Sequence, residues 1–438
     1  MLDMVTVCSE DGVMRVLKAG ELALWGGEPV RRRPWPEWPE RGPEGERRWM
    51  RLVREGRWIR TRGPEVELFE RRFAGSHGCR HGIGWISGMA AWRAALRTAG
   101  LEPGAEVVLP AYGPVELLAG VVELNLVPVF ADVELGTGMV TLERVEGVVS
   151  PRTRAVVVAH LGGLPVDMAP FRERAGASGW LLIESAGQAV GAVYQDRPCG
   201  SWGDLAVFDF GSHAPLSAGS GGIVLTNQEA LAARGRDLQR AVLPSTSGNA
   251  GGDLPAGNEA MTEWQAALLN AQLDRLEARV KRRDARSRHL AERLAQIPGV
   301  HPQERTPGCS RLGCGAFGIR VDAEEFGVPR DAVVAALTAE GIPCSVGAPA
   351  ALPQLPAIRN RNFGPFLPGA LREAVRTRPA PNAQKWGRQA IWLEHWLLLA
   401  DQRDMDDIVR AFEKIHAQRQ RLRQWARERA DSGRQPPP

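Results

Sequence analysis

Apolar and polar positions divide this chain into short apolar runs separated by amphipathic stretches. Between Glu106 and Thr226 the runs are EVVLP, VPVFAD, RAVVVAH, WLLIE, LAVFDF and GIVLT. They lack the alternation of a half-exposed strand, so they read as strands buried on both faces. The intervening segments Pro114–Leu124 and Asp167–Ala177 suit crossover helices. This alternation predicts a mostly parallel sheet with helices on both faces, and such sheets bind ligands at the carboxyl ends of their strands.

On the N-terminal side, RWIRTRGPEVELFERRFAGSHG predicts a loop and then an amphipathic helix with apolar positions Val66, Leu68, Phe69 and Phe73. LALWGGEPVRRRPWPEWP is too rich in Pro and Trp for a regular element. It reads as an arm whose Trp25, Trp35 and Trp38 pack on the body or on a partner subunit. From Met261 to about Ile297 a long helical pattern leads to a smaller unit. That unit contains GCGAFGIRV, a helix at Pro329–Glu340, a GIPC turn and a last helix at Asp404–Ile415. The tail, AQRQRLRQWARERADSGRQPPP, reads as a frayed helix and a disordered end. The expected division is 1–21, an extension; 22–296, the arm and a large α/β domain with its linking helix; 297–416, a small α+β domain; and 417–438, the tail.

Composition narrows the picture. With 438 residues, 44% of them apolar and 24% charged, the chain can bury two or three cores. The net charge of +4 is small, and arginines alternate with acids in EARVKRRDARSRHLAERL, as on a solvated helix face. Neither a nucleic-acid surface nor a membrane segment is expected. The six cysteines are scattered; Cys309 and Cys314 have the wrong spacing for a zinc knuckle, so no metal site is expected. A cytoplasmic protein with reduced thiols follows from these features.

The stretch Phe208–Gly222, FDFGSHAPLSAGSGG, is a strand end, a loop of small residues and a Gly-Gly pair before IVLT. Such loops let a backbone and a ligand approach closely. It resembles the cofactor-lysine segment of the DegT/StrS-type sugar and cyclitol aminotransferases, which use pyridoxal phosphate (PLP). LALWGGEPVRRRPWP, EPGAEVVLPAY, VPVFADVE, HLGGLPVDM, ESAGQAVGA, SWGDLAVFDF and GNEAMTEWQAALLNAQL have counterparts there in the same order, as do GIPCSVGAP and APNAQKWGRQAIWLEHWLLLADQRDMDDIV. Together they cover roughly Leu24 to His416 and lie closest to the aminohydroxybenzoate synthase and inosose aminotransferase branch. The resemblance implies an aspartate-aminotransferase-like (fold-type I) α/β large domain with a mostly parallel sheet and a smaller α+β C-terminal domain. It also implies a natural-product aminosugar setting and a homodimer, or a heterodimer with a lysine-bearing paralogue.

The family's chemistry makes demands that can be checked residue by residue. Where its lysine forms an imine with the cofactor stands Ala214, and where an aspartate pairs with the pyridine nitrogen stands Ser185, after Glu184. The phosphate-binding Gly-Thr-Ala turn is Gly88-Met89-Ala90, and Pro114 replaces the stacking aromatic. These departures lead to the expectation of no cofactor, with PLP or pyridoxamine phosphate (PMP) bound non-covalently as the alternative. Three functions remain open: a PLP-independent homologue repurposed on a sugar- or cyclitol-like metabolite, a non-catalytic subunit of an active aminotransferase, or an unusual PLP/PMP aminotransferase or dehydrase using His213. His213, Ser185 and Glu259 are the candidate catalytic groups. Ser87, Gly88, Met89, Tyr112, His160, Gln188, Ser212, Ala214 and Asn258 are the candidate pocket. His213 falls one residue short of the lysine position, so a loop histidine with a local hydrogen bond is the competing reading.

Overall fold

The computed structural model describes residues 4–8, 14–18, 20–58, 63–240, 257–348 and 350–431. Its centre is a seven-stranded sheet. In spatial order the strands are His81–Trp85, Gly222–Thr226, Leu205–Asp209, Leu181–Ser185, Thr153–Ala159, Glu106–Pro110 and Val127–Ala131. Gly222–Thr226 is antiparallel to both neighbours, and every other pairing is parallel. All six expected strands are present. Glu106–Pro110 is buried along its whole length, as unbroken apolar runs require.

The expected crossover helices form at Val115–Glu123 and Met168–Ser178. The amphipathic helix Glu65–Ser76 buries Val66, Phe69 and Phe73. The long helical pattern after Met261 is two helices, Glu263–Leu273, which starts in a Thr262/Gln265 capping box, and Leu276–Leu294. A second, four-stranded antiparallel sheet orders Val300–Pro302, Ala316–Val321, Ala390–Glu394 and Cys344–Ser345. Its core joins the helices Arg330–Ala339 and Gln402–Ala417 through Ile319, Val333, Leu337, Ile408 and Phe412.

Three features add to the sequence reading. Met4–Cys8 and Met14–Lys18 pair as a hairpin within the N-terminal extension. Much of the tail is the helix Arg419–Asp431, which buries Leu422, while residues 432–438 lie outside the described ones. The arm is fastened to the helix Gln402–Ala417: Arg31 donates to Asp404 at 2.7 Å and Asp407 at 2.9 Å. Trp35 also donates its indole N–H to the Gly341 carbonyl. Among the described residues no helix is long and apolar enough to cross a membrane.

Candidate functional site

The carboxyl ends of the parallel strands open into a cleft of about 490 Å³. One wall begins where His81–Trp85 gives way to the helix Gly88–Ala99. Ser87 caps that helix by accepting the Ala90 N–H at 3.1 Å, and the alanine-rich sequence that follows favours helix. The opposite wall is the loop after Asp209. It is pinned from the helix Glu263–Leu273, because Gln272 exchanges hydrogen bonds with both backbone groups of Ser217. A second recess of about 260 Å³ adjoins the cleft and shares Pro114, Leu161, Gln188 and His213 with it.

The structure brings most of the candidate residues to this cleft. Ser87, Gly88 and Met89 line one side; Ser212, His213 and Ala214 line the other; His160, Ser185 and Gln188 form part of the floor. Gln188 is held by accepting the Gly162 N–H at 2.7 Å. Tyr112 lies in the adjoining recess, where its hydroxyl meets the Trp392 indole N–H at 3.4 Å. Two candidates lie elsewhere. Glu259 is ion-paired with Arg93 at 2.6 Å, and Asn258 is exposed on the loop before it.

The two histidines differ sharply. Both ring nitrogens of His160 are engaged within the protein: Nδ1 accepts from the Val166 N–H, so Nε2 carries the proton toward Glu184 at 2.9 Å. His213 is largely exposed at the cleft mouth, with Nδ1 3.5 Å from Glu394 and its ring near Trp396. Burial raises the Glu394 carboxyl, and His213 pulls it back in part.

The sequence reading passed over Asp209, which stands at the end of its strand between Phe208 and Phe210. Oδ2 accepts the Gly211 N–H at 3.1 Å. The carboxylate lies so close to the first residue of the helix Gly88–Ala99 that a Cβ on Gly88 would be 2.2 Å from Oδ1. Residue 88 is therefore a glycine for lack of space. Asp209 is exposed to solvent through the cleft, with its carboxylate close against Gly88. Burial pushes its carboxyl above the usual range; the Glu116 charge adds to this, while the N–H groups of Gly211, Phe210 and Gly88 oppose it. The available signal was the acidic middle residue of F-D-F, a charge between two buried phenylalanines at a strand end.

This architecture is that of the fold-type I aminotransferases. The AHBA synthase crystal structure superimposes with a TM-score of 0.79 at 26% identity, covering 88% of this chain and 99% of that one. The S. venezuelae DesV structure with a ketimine intermediate gives 0.75 at 28% identity, covering 86% and 94%. The sequence model of the DegT/DnrJ/EryC1/StrS aminotransferase family matches residues 44–413, and the chain belongs to that family. It is 33% identical over 421 residues to the L-glutamine:2-deoxy-scyllo-inosose aminotransferase of Streptoalloteichus tenebrarius, covering 90% of this chain and 97% of that protein. It is 30% identical over 381 residues to the 3-amino-5-hydroxybenzoate synthase of Amycolatopsis mediterranei, covering 85% and 94%.

These relationships correct the expectation of no cofactor. The family and the structural neighbours are PLP-dependent aminotransferases, one of them holding a ketimine, so the family points to PLP or PMP. The residues of this cleft do not fit that group held in the family's manner. Ala214 has no amine for an imine, and Ser185 has no charge for a pyridinium. At the helix start, where a phosphate would be received, the Asp209 carboxylate is already seated.

Proposed function

We propose that this chain is a sugar- or cyclitol-binding member of the aminotransferase family that forms no imine of its own. In this reading it serves an aminosugar or aminocyclitol pathway as the partner of a lysine-bearing family member. The observation that carries the reading is Ala214. It is 7% exposed and lines the cleft on the loop where the resemblance places the imine lysine. A methyl group can neither condense with a carbonyl nor carry a proton. PLP or PMP, to which the family points, would be held here without a covalent bond.

The partner role is favoured by a separate feature. The helix Pro43–Glu55 and the turn after it leave Trp49, Met50, Val53 and Trp58 exposed, with Trp49 and Trp58 packed around Trp264. An apolar patch of this kind, ringed by arginines and glutamates, suits a protein partner. The cleft itself suits a polyol. Ser185, Ser212 and Ser220 offer hydroxyls, and Met89, Trp92, Leu117 and Leu161 offer an apolar wall for ring C–H groups.

The test uses the full chain, purified alone and co-expressed with a lysine-bearing paralogue from the same pathway. Alone, treatment with PLP and borohydride is expected to leave its intact mass unchanged, and no amino group moves from L-glutamine to a cyclitol ketone. Co-expressed, the two chains are expected to elute as one complex. A pyridoxyl adduct trapped on this chain, or amino transfer by the chain alone, would overturn the reading.

A further inference from the structure

Among the described residues, neither the cleft nor the adjoining recess is lined by a lysine or an arginine. Their charged groups are Asp209 and Glu116 in the cleft and Glu394 in the recess, and the one exposed histidine, His213, faces Glu394. The balance is negative. Within the cleft the backbone offers positive potential at the start of the helix Gly88–Ala99, the N–H end of its dipole. That place is filled from within. The Asp209 carboxylate rests against Gly88 on one oxygen and takes the Gly211 N–H on the other.

An arriving phosphate would meet a carboxylate at the helix start, with no side-chain cation lining the cleft to offset the repulsion. A protonated amine meets the reverse arrangement. An ionised carboxylate has about four lone-pair sites, and one backbone bond at Oδ2 and the contact at Gly88 leave room for a ligand to donate from the cleft.

We infer that Asp209 makes this cleft selective for an amine-bearing, non-phosphorylated polyhydroxylated ring, an aminocyclitol or aminosugar, over phosphorylated ligands of similar size. Asp209 sets specificity through charge; the phosphate of PLP or PMP, brought to the helix start, would have to displace it. The ring class rests on the sugar- or cyclitol-binding reading given above. The exclusion of phosphate rests on Asp209 alone.

Calorimetric titration of the full chain separates the two. The probes are scyllo-inosamine, uncharged scyllo-inositol and inorganic phosphate, applied to the wild-type protein, Asp209→Asn and Asp209→Ser. The wild-type chain is expected to bind the amine at least tenfold more tightly than the uncharged ring, about 1.4 kcal/mol, and Asp209→Asn to erase that preference. Asp209→Ser is expected to bind phosphate at least tenfold more tightly than wild type. Asparagine has nearly the same shape and keeps one acceptor, so it tests charge rather than packing. An amine preference that survives Asp209→Asn, or phosphate affinity equal in wild type and Asp209→Ser, overturns the inference. Failure of both rings to bind any variant overturns the sugar- or cyclitol-binding reading, and the phosphate comparison still decides the part played by Asp209.

Discussion

His160 and Glu184 meet at 2.9 Å with both side chains wholly shielded from solvent. Glu184 also accepts the N–H groups of Gly200 and Gly203, so one carboxylate holds three donors beneath the cleft floor. Burial raises its pKa. The hydrogen bonds from His160, Gly203 and Gly200 outweigh that, so the carboxyl ionises below its ordinary range. A depressed carboxylate stabilises the fold above its ordinary pKa, and that stability is lost as the pH falls through the folded value. Glu184→Ala strands three buried donors and is expected to cost about 3–5 kcal/mol. Glu184→Gln loses about 1–3 kcal/mol, since its amide NH₂ replaces one acceptor. Urea denaturation reads both values, and an alanine variant within about 1 kcal/mol of wild type would show the pair to be dispensable.

The apolar strands were legible because burial on both faces writes itself as unbroken runs, as in VVV at 156–158. The strand His81–Trp85 was not legible. Its HGIGW looks like a turn, yet Gly82 and Gly84 are there because the neighbours leave no room. A Cβ at 82 would lie 2.8 Å from the Glu70 carbonyl, and one at 84 would lie 3.0 Å from Met261. Ala214 was readable from spacing alone, whereas the seating of Asp209 against Gly88 joins residues 121 positions apart and needs the folded chain. Glu259 stood out as a polar residue in a motif, but Arg93 holds it outside the cleft lining, a contact no local pattern encodes.

Arg31 fastens the N-terminal arm. Its guanidinium reaches Asp404 and Asp407, donates to the Pro34 carbonyl and stacks 3.8 Å from the Trp35 ring centre. The Arg31 side chain is 4% exposed, and truncation leaves Asp404 and Asp407 to the solvent-exposed guanidiniums of Arg33 and Arg410. Arg31→Ala is expected to destabilise by about 1–3 kcal/mol, because Arg33 and Arg410 still face the two carboxylates, and Arg31→Lys by less because it restores one charge without the planar fork. Limited proteolysis is expected to cut the arm of the alanine variant first. Equal cutting rates in the two chains would mean that Arg31 does not fasten it.

His77 gives the fold a pH dependence in the opposite sense to a buried cation. Nε2 accepts the Gly191 N–H and Nδ1 donates to the Phe73 carbonyl, so the ring is neutral and fully used. Burial pushes its pKa from 6.5 down to about 4. The unfolded chain therefore binds a proton more readily. Stability from this residue is present above the unfolded value and falls by about 1.4 kcal/mol per pH unit on acidification, about 3 kcal/mol in all, until the folded ring is protonated. Denaturation midpoints measured between about pH 7 and about pH 4 are expected to slope less for His77→Gln than for wild type. Parallel curves would place the titrating group elsewhere.

Restoring a lysine at residue 214 separates the missing amine from the obstructing acid. Ala214 and Asp209 line the same cleft, so a lysine introduced by Ala214→Lys comes under the field of a fixed carboxylate. An opposite charge nearby favours the protonated ammonium, which is not a nucleophile, and the same carboxylate opposes the phosphate of incoming PLP. Ala214→Lys alone is expected to yield little borohydride-trapped pyridoxyl adduct. Ala214→Lys with Asp209→Ser frees the amine and the helix start together and is expected to yield at least tenfold more, read by intact mass after reduction. Equal trapping in the single and double variants would mean that the amine alone was missing and that Asp209 places no restraint on the cofactor's phosphate.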